Sequence, residues 1–143
     1  MNKSILILLL AVFFIACGSK TENKQTESEA QEQTVVTADA SVVNVYYFHG
    51  KQRCKTCIAV GDLAKKTIGE TYADNNKVKF IEVDTSDKKF EDLVNKYEVS
   101  WNALIIAKGD NSIDITEQAF ANAISNPTIL SELIKKEVNQ RAS

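Results

Sequence analysis

The chain has 143 residues, 44% hydrophobic and 25% charged, with a formal net charge of -2, which suits one globular domain with tails. The charge is unevenly placed: residues 17–40 hold Lys20 and Lys24 against Glu22, Glu27, Glu29, Glu32 and Asp39, whereas residues 41–143 carry 14 basic and 14 acidic side chains. A domain without net charge lacks the basic footprint of a nucleic-acid binder, so nucleic acid is excluded as the expected partner.

Met1-Asn2-Lys3 is a short cationic start, and Ile5 to Ala16 is an unbroken apolar run. A membrane span needs roughly 20 residues, so this run fits the core of a signal peptide over residues 1–16. Cys17 follows, then Gly18-Ser19. Phe14-Ile15-Ala16-Cys17 resembles the lipobox of bacterial lipoproteins, with Phe14 where leucine is usual. The resemblance implies lipidation of Cys17, and more than one acyl chain makes a stable anchor. Residues 17–40 are polar until Val35-Val36 and bury too little surface to offset their ordering entropy. They read as a disordered tether on the order of 25–30 Å in coil dimension. The remaining residues, 41–143, are the expected domain.

Its first strand is expected over Val42–Phe48, apolar on both faces like a strand covered by helices on two sides. His49 to Arg53 form a loop, and a helix is expected over Ile58–Tyr72, with Cys57, Val60, Ala64 and Ile68 on one stripe and Leu63 beside it. Asn75-Asn76 turn the chain into a second strand, Val78–Val83. Ser86 or Asp87 caps the next helix. There Phe90, Leu93, Val94 and Tyr97 recur at i, i+3, i+4 and i+7. Ala103–Ala107 reads as strand three and Ile113–Thr116 as strand four, a hairpin turning at Lys108 to Asn111. Glu117–Ile124 forms a short helix. Asn126-Pro127 opens the last helix, with Ile129, Leu130, Leu133, Ile134 and Val138 as its apolar face. Strands joined by helical crossovers are expected to run parallel. Tyr46, Tyr47, Phe80 and Phe90 are assigned to the core, and Lys88-Lys89 and Lys135-Lys136 to solvated helix faces.

Arg53-Cys54-Lys55-Thr56-Cys57 lies between the first strand and the first helix. The free N–H groups and positive dipole end of a helix start favour an anion there, and a thiolate is one. Cys54 is expected at the first helical position and Cys57 one turn in, on the apolar stripe. Arg53, Lys51 and Lys55 add positive charge near Cys54. A dithiol in such a place is a redox motif. A static disulfide of this spacing closes a tiny loop and stabilises little. Structural zinc wants four ligands, and Cys54, Cys57 and His49 supply three at most.

The order β-α-β-α-β-β-α, with Cys54-x-x-Cys57 at the first strand-to-helix junction and Tyr97-x-Val99 before strand three, resembles the thioredoxin fold over about residues 41–140. The resemblance implies an α/β domain with a four-stranded mixed sheet and helices on both faces. It is most similar to the thioredoxin-like lipoproteins of bacteria. Tyr47-Phe48-His49-Gly50 and Arg53-Cys54-x-Thr56-Cys57 are similar to a family labelled as a nitrophenyl-compound nitroreductase subunit. Carried over, Cys54 is the exposed nucleophile and Cys57 the resolving cysteine. The reaction needs no cofactor beyond the redox-active disulfide. Expected partners are protein thiols and disulfides or a membrane electron donor, and the expected state is a lipid-anchored monomer facing the periplasm. Two features depart from the family. The cis-proline before strand three is absent; Ser100-Trp101-Asn102-Ala103 stands there, with Asn102 nearest the missing ring. The acid of strand one is also absent, so proton transfer falls to water, His49 or Lys55. Trp101 is a candidate substrate-facing aromatic. The alternative is a binding module, in which two thiolates with His49 or water hold Cu(I) or a trivalent arsenic-type metalloid, or an accessory subunit of a reductase.

Overall fold

A computed structural model describes residues 39–143. The signal segment 1–16, Cys17 and all but the last two residues of the tether fall outside that range.

The elements follow the expected order. Strand β1 is Val43–His49 and helix α1 is Lys55–Thr71. Strand β2 is Val78–Asp84, and helix α2 is Glu91–Lys96 behind a short 3-10 turn, Lys88–Phe90. Strands β3, Ala103–Lys108, and β4, Asn111–Asp114, precede α3, Thr116–Asn122, and α4, Pro127–Ala142. The sheet runs β2-β1-β3-β4.

Both faces of this sheet are covered, which is why β1 reads as continuously apolar. Val43, Val45 and Tyr47 of β1, with Leu104 and Ile106 of β3, pack against Val60, Ala64 and Ile68 of α1. Ala119 of α3 and Leu130, Ile134 and Val138 of α4 complete that layer. The alternate residues, Tyr46, Phe48, Ala103, Ile105 and Ala107, meet Leu93 of α2 on the other face. Phe80 and Phe90 are half-buried and pack against these two clusters at their margins.

Strand pairing corrects one expectation. β1 and β2 are parallel, but β3 lies on the other side of β1 and runs antiparallel to it. His49 pairs with Asp84 at the end of β2, and Phe48 pairs with Ala103 at the start of β3. The chain therefore leaves and re-enters the sheet at the same end. The six residues of α2 rise only about 9 Å, too short to carry the chain back along a seven-residue strand of about 23 Å. The connection covers a face of the sheet instead of crossing its length.

Helix ends differ in detail. Asp87 is the cap, its carboxylate accepting from the Lys89 N–H at 3.1 Å, and it caps the 3-10 turn. The i, i+3, i+4, i+7 set is thus split across two short helical pieces. Helix α2 stops because Glu98 adopts φ 52°. Val99 N–H then donates to Val94 C=O and Glu98 N–H to Asn95 C=O, a Schellman closure with glutamate where glycine is usual. Gly109 takes φ 59° in the β3–β4 turn, and β4 starts two residues earlier than expected. Asn126 precedes Pro127 but makes no side-chain cap bond. Ile129 is 56% exposed, because the buried stripe of α4 is Leu130, Ile134 and Val138. On α4, Glu137 and Arg141 form a buried ion pair at 2.9 Å.

Candidate active site at the strand-to-helix junction

Cys54 is the N-cap of α1, not its first helical residue. Its backbone is extended, at φ -76° and ψ 166°, and its sulfur accepts from the Cys57 N–H at 3.0 Å. An N-cap side chain reaches the orphan N–H groups of the first turn, so the sulfur occupies the place usually held by a serine or aspartate oxygen. Cys54 is exposed and Cys57 is 4% exposed. The two are joined in a disulfide, their Cα atoms 5.0 Å apart. One cysteine is therefore exposed, and the other lies on the buried stripe of α1.

Beneath the pair lies a polar group that the sequence does not announce. Tyr47, on β1, is fully buried and donates its hydroxyl to the Cys57 carbonyl at 2.5 Å. Arg53 does not reach outward beside Cys54. Its guanidinium turns under α1, 5.4 Å over the Tyr47 ring, and donates to Glu82 at 2.9 Å. The Arg53 Nε is buried without a hydrogen-bond partner. Glu82 is the β2 residue in register with Tyr47, and its carboxylate also lies 3.3 Å from His49 Nε2. The His49 Nδ1 faces the Gly50 carbonyl at 3.0 Å, so both ring nitrogens face oxygen acceptors. Burial pushes the Tyr47 hydroxyl above the ordinary tyrosine range, and the Arg53 guanidinium partly offsets that.

Gly61 makes this arrangement possible. A Cβ there would sit 2.5 Å and 2.8 Å from two Tyr47 ring atoms and 2.9 Å from Arg53 Nη2. Only a residue without a side chain lets the ring and the guanidinium fit against α1.

Lys55 is exposed at the first position of α1, and Lys51 is exposed in the preceding loop. Asn102 leads into β3 with its Oδ1 buried and unpaired. Trp101 is 75% exposed and Ile58 is 43% exposed. Since Ala103 pairs with Phe48, the Trp101-Asn102 segment enters the sheet at the end from which β1 leads to Cys54. Among the described residues, no three His, Cys, Asp or Glu side chains converge where they could hold a metal ion. His49 turns to Glu82 and Gly50.

Three contributors escape sequence reasoning: Glu82, Gly61 and the hydroxyl of Tyr47. Glu82 left one signal, a carboxylate between the apolar Ile81 and Val83.

No protein-family model matches this chain, and no curated protein does. Among solved structures, human ERp44 in its zinc-bound form aligns with a TM-score of 0.52 at 16% identity. The alignment covers 74% of this chain and 29% of that one, so the chain spans less than a third of ERp44. A malarial protein aligns with a TM-score of 0.45 at 25% identity, over 68% of this chain and 98% of that one. The fold is thioredoxin-like.

Proposed function

We propose that this protein is a thiol–disulfide oxidoreductase with Cys54 as nucleophile and Cys57 as resolving cysteine. The observation that carries the reading is the asymmetry of the pair: an exposed cysteine whose sulfur caps a helix, disulfide-bonded to a buried cysteine one turn in.

The chemistry follows from that asymmetry. In the reduced protein, the Cys54 thiolate is the sulfur that the Cys57 N–H and the helix terminus favour. It attacks one sulfur of a substrate disulfide. A bond forms between Cys54 Sγ and that sulfur, and the other substrate sulfur leaves as a thiolate that takes a proton from water. Cys57 then loses its proton and attacks Cys54 Sγ. The Cys54–Cys57 disulfide forms, and the second substrate sulfur leaves as a thiolate. Two electrons and two protons pass from the protein to the substrate, which becomes a dithiol. The reverse sequence oxidises a substrate dithiol, and the potentials of the two couples set the direction. The disulfide itself supplies the redox chemistry.

The finer reading places the protein at the bacterial cell envelope, facing the periplasm, anchored through lipid on Cys17 and acting on protein thiols or fed by a membrane donor. The lipobox-like Phe14-Ile15-Ala16-Cys17 supports it. No helix among the described residues is long and apolar enough to cross a membrane. A palmitate analogue that labels the chain, but not the Cys17→Ser variant, tests the anchor.

The Cys57→Ser variant tests the chemistry. It should accumulate mixed disulfides through Cys54, visible as reducible adducts on non-reducing gels. Absence of adducts, together with thiol exchange unchanged in Cys54→Ser, overturns the reading. Anaerobic purification with one soft metal ion per chain, lost in Cys54→Ser, would favour the binding module instead.

A further inference from the structure

Resting on that redox reading, we propose that Glu82 is a positioning residue that sets the redox balance of the Cys54–Cys57 pair by holding and neutralising the Arg53 guanidinium beneath it.

Arg53 directly precedes Cys54, and an extended arginine there would place its charge beside the nucleophile. It is instead drawn inward, packed against Gly61 and the Tyr47 ring, with Glu82 at 2.9 Å. Gly61 lies one helical turn beyond Cys57, so the guanidinium sits against the helix that Cys54 caps and Cys57 belongs to. Tyr47 links the group to the pair through its bond to the Cys57 carbonyl. The Arg53 side chain is only 26% exposed, so water screens its charge incompletely. Other charged groups face this cluster. His49 lies at the end of β1 on the same carboxylate, Asp62 of α1 faces Tyr47, and Asp84 of β2 faces His49 and Lys51.

The consequence has a sign. Converting the disulfide to a dithiol creates thiolate charge, and nearby uncompensated positive charge stabilises that reduced form. Glu82 cancels the Arg53 charge and so keeps the pair less oxidising than the bare arginine would. Glu82→Gln releases the charge and makes the pair more oxidising. Arg53→Gln leaves the carboxylate uncompensated and makes the pair less oxidising. The double variant returns toward wild type.

The test is a double-mutant cycle on the full chain in detergent, equilibrated with defined ratios of reduced and oxidised glutathione and read by maleimide gel shift. Each single variant should move the equilibrium constant by about three- to tenfold, in opposite directions, where tenfold corresponds to about 30 mV. A side chain that only supported the fold would shift both variants the same way or neither. Unchanged constants, or shifts of one sign, overturn the proposal while the redox reading stands. A wild-type pair that never equilibrates with glutathione overturns the redox reading and this proposal with it. Should a single variant misfold by circular dichroism, Glu82→Ala or Arg53→Met takes its place, with the same sign of shift expected and an unmoved constant or the opposite sign overturning the proposal.

Discussion

Tyr47 donates its hydroxyl to the carbonyl oxygen of Cys57 across 2.5 Å, so the strand leading to the cysteine pair also holds the helix that carries it. The bond is buried, and a buried bond of this kind contributes on the order of 1 kcal/mol. Tyr47→Phe should lower stability by about that amount, read as a lower urea midpoint at unchanged slope. An unmoved midpoint would show that the bond does not help to hold α1.

Gly61→Ala sets two effects against each other. Alanine favours a helix interior by about 1 kcal/mol over glycine. The new methyl, however, meets a fully buried ring at 2.5 Å. Overpacking costs about 1–3 kcal/mol, and here packing should win. The variant should be destabilised, and Gly61→Ala combined with Tyr47→Ala should recover part of the helix gain. A more stable single variant would show that the ring moves aside freely.

Glu98 occupies a left-handed backbone position at the end of α2. Glycine carries no steric penalty there and is the usual residue of this closure. Glu98→Gly should stabilise the fold by about 0.5–1 kcal/mol, visible as a higher thermal midpoint. Glu98→Val, with a β-branched side chain, should do the opposite.

Stability should fall above pH 10. Burial raises the Tyr46 hydroxyl to about 12, helped by Tyr97, and burial also raises Tyr47, Tyr72 and Tyr97. Below pH 10 these groups are protonated in both states and contribute no pH dependence. As pH rises past about 10, the unfolded chain loses protons that the native state keeps, so unfolding becomes easier with every step in pH. Urea midpoints across pH 8–12 would show a plateau and then a decline. Tyr46→Phe should flatten the decline. At neutral pH it should cost little, because the Tyr46 hydroxyl is buried without a hydrogen-bond partner.

Trp101 is too exposed to contribute much to the core. Trp101→Ala should change stability by less than about 0.5 kcal/mol. It should slow exchange with a disulfide-bonded polypeptide several-fold while leaving exchange with glutathione alone. Equal slowing for both substrates would place its role at the cysteines and not at the substrate.

Much of the scaffold is legible in the linear chain, because local rules decide it. The alternation of Val43, Val45 and Tyr47 with Tyr46 and Phe48 reflects a strand covered on both faces. The spacing of Cys57, Val60, Ala64 and Ile68 reflects one face of a helix. The cysteine pair at their junction is equally local, and so is the contrast between an exposed and a buried cysteine. The reach of α2 is less legible, since the apolar spacing runs from Phe90 to Tyr97, whereas the helix spans only Glu91–Lys96 behind a 3-10 turn. The face of α4 was misjudged at Ile129 for a related reason: an isoleucine fits either edge of a stripe, and packing chooses.

The dithiol, its place at a helix start and the strand and helix periodicities that support it can be read from the linear chain, since each depends on neighbours within a few residues. What surrounds the dithiol is set by long-range contacts. The parallel register that sets Glu82 beside Tyr47 draws Arg53 to a carboxylate 29 positions away. The same register gives the site an acid from β2 where β1 has none. A missing side chain at Gly61 makes room for the group. Those contacts join residues far apart in the chain, and no local periodicity encodes such a meeting. The physical cause is the pairing of two strands, which sets Glu82 beside Tyr47 and within reach of Arg53.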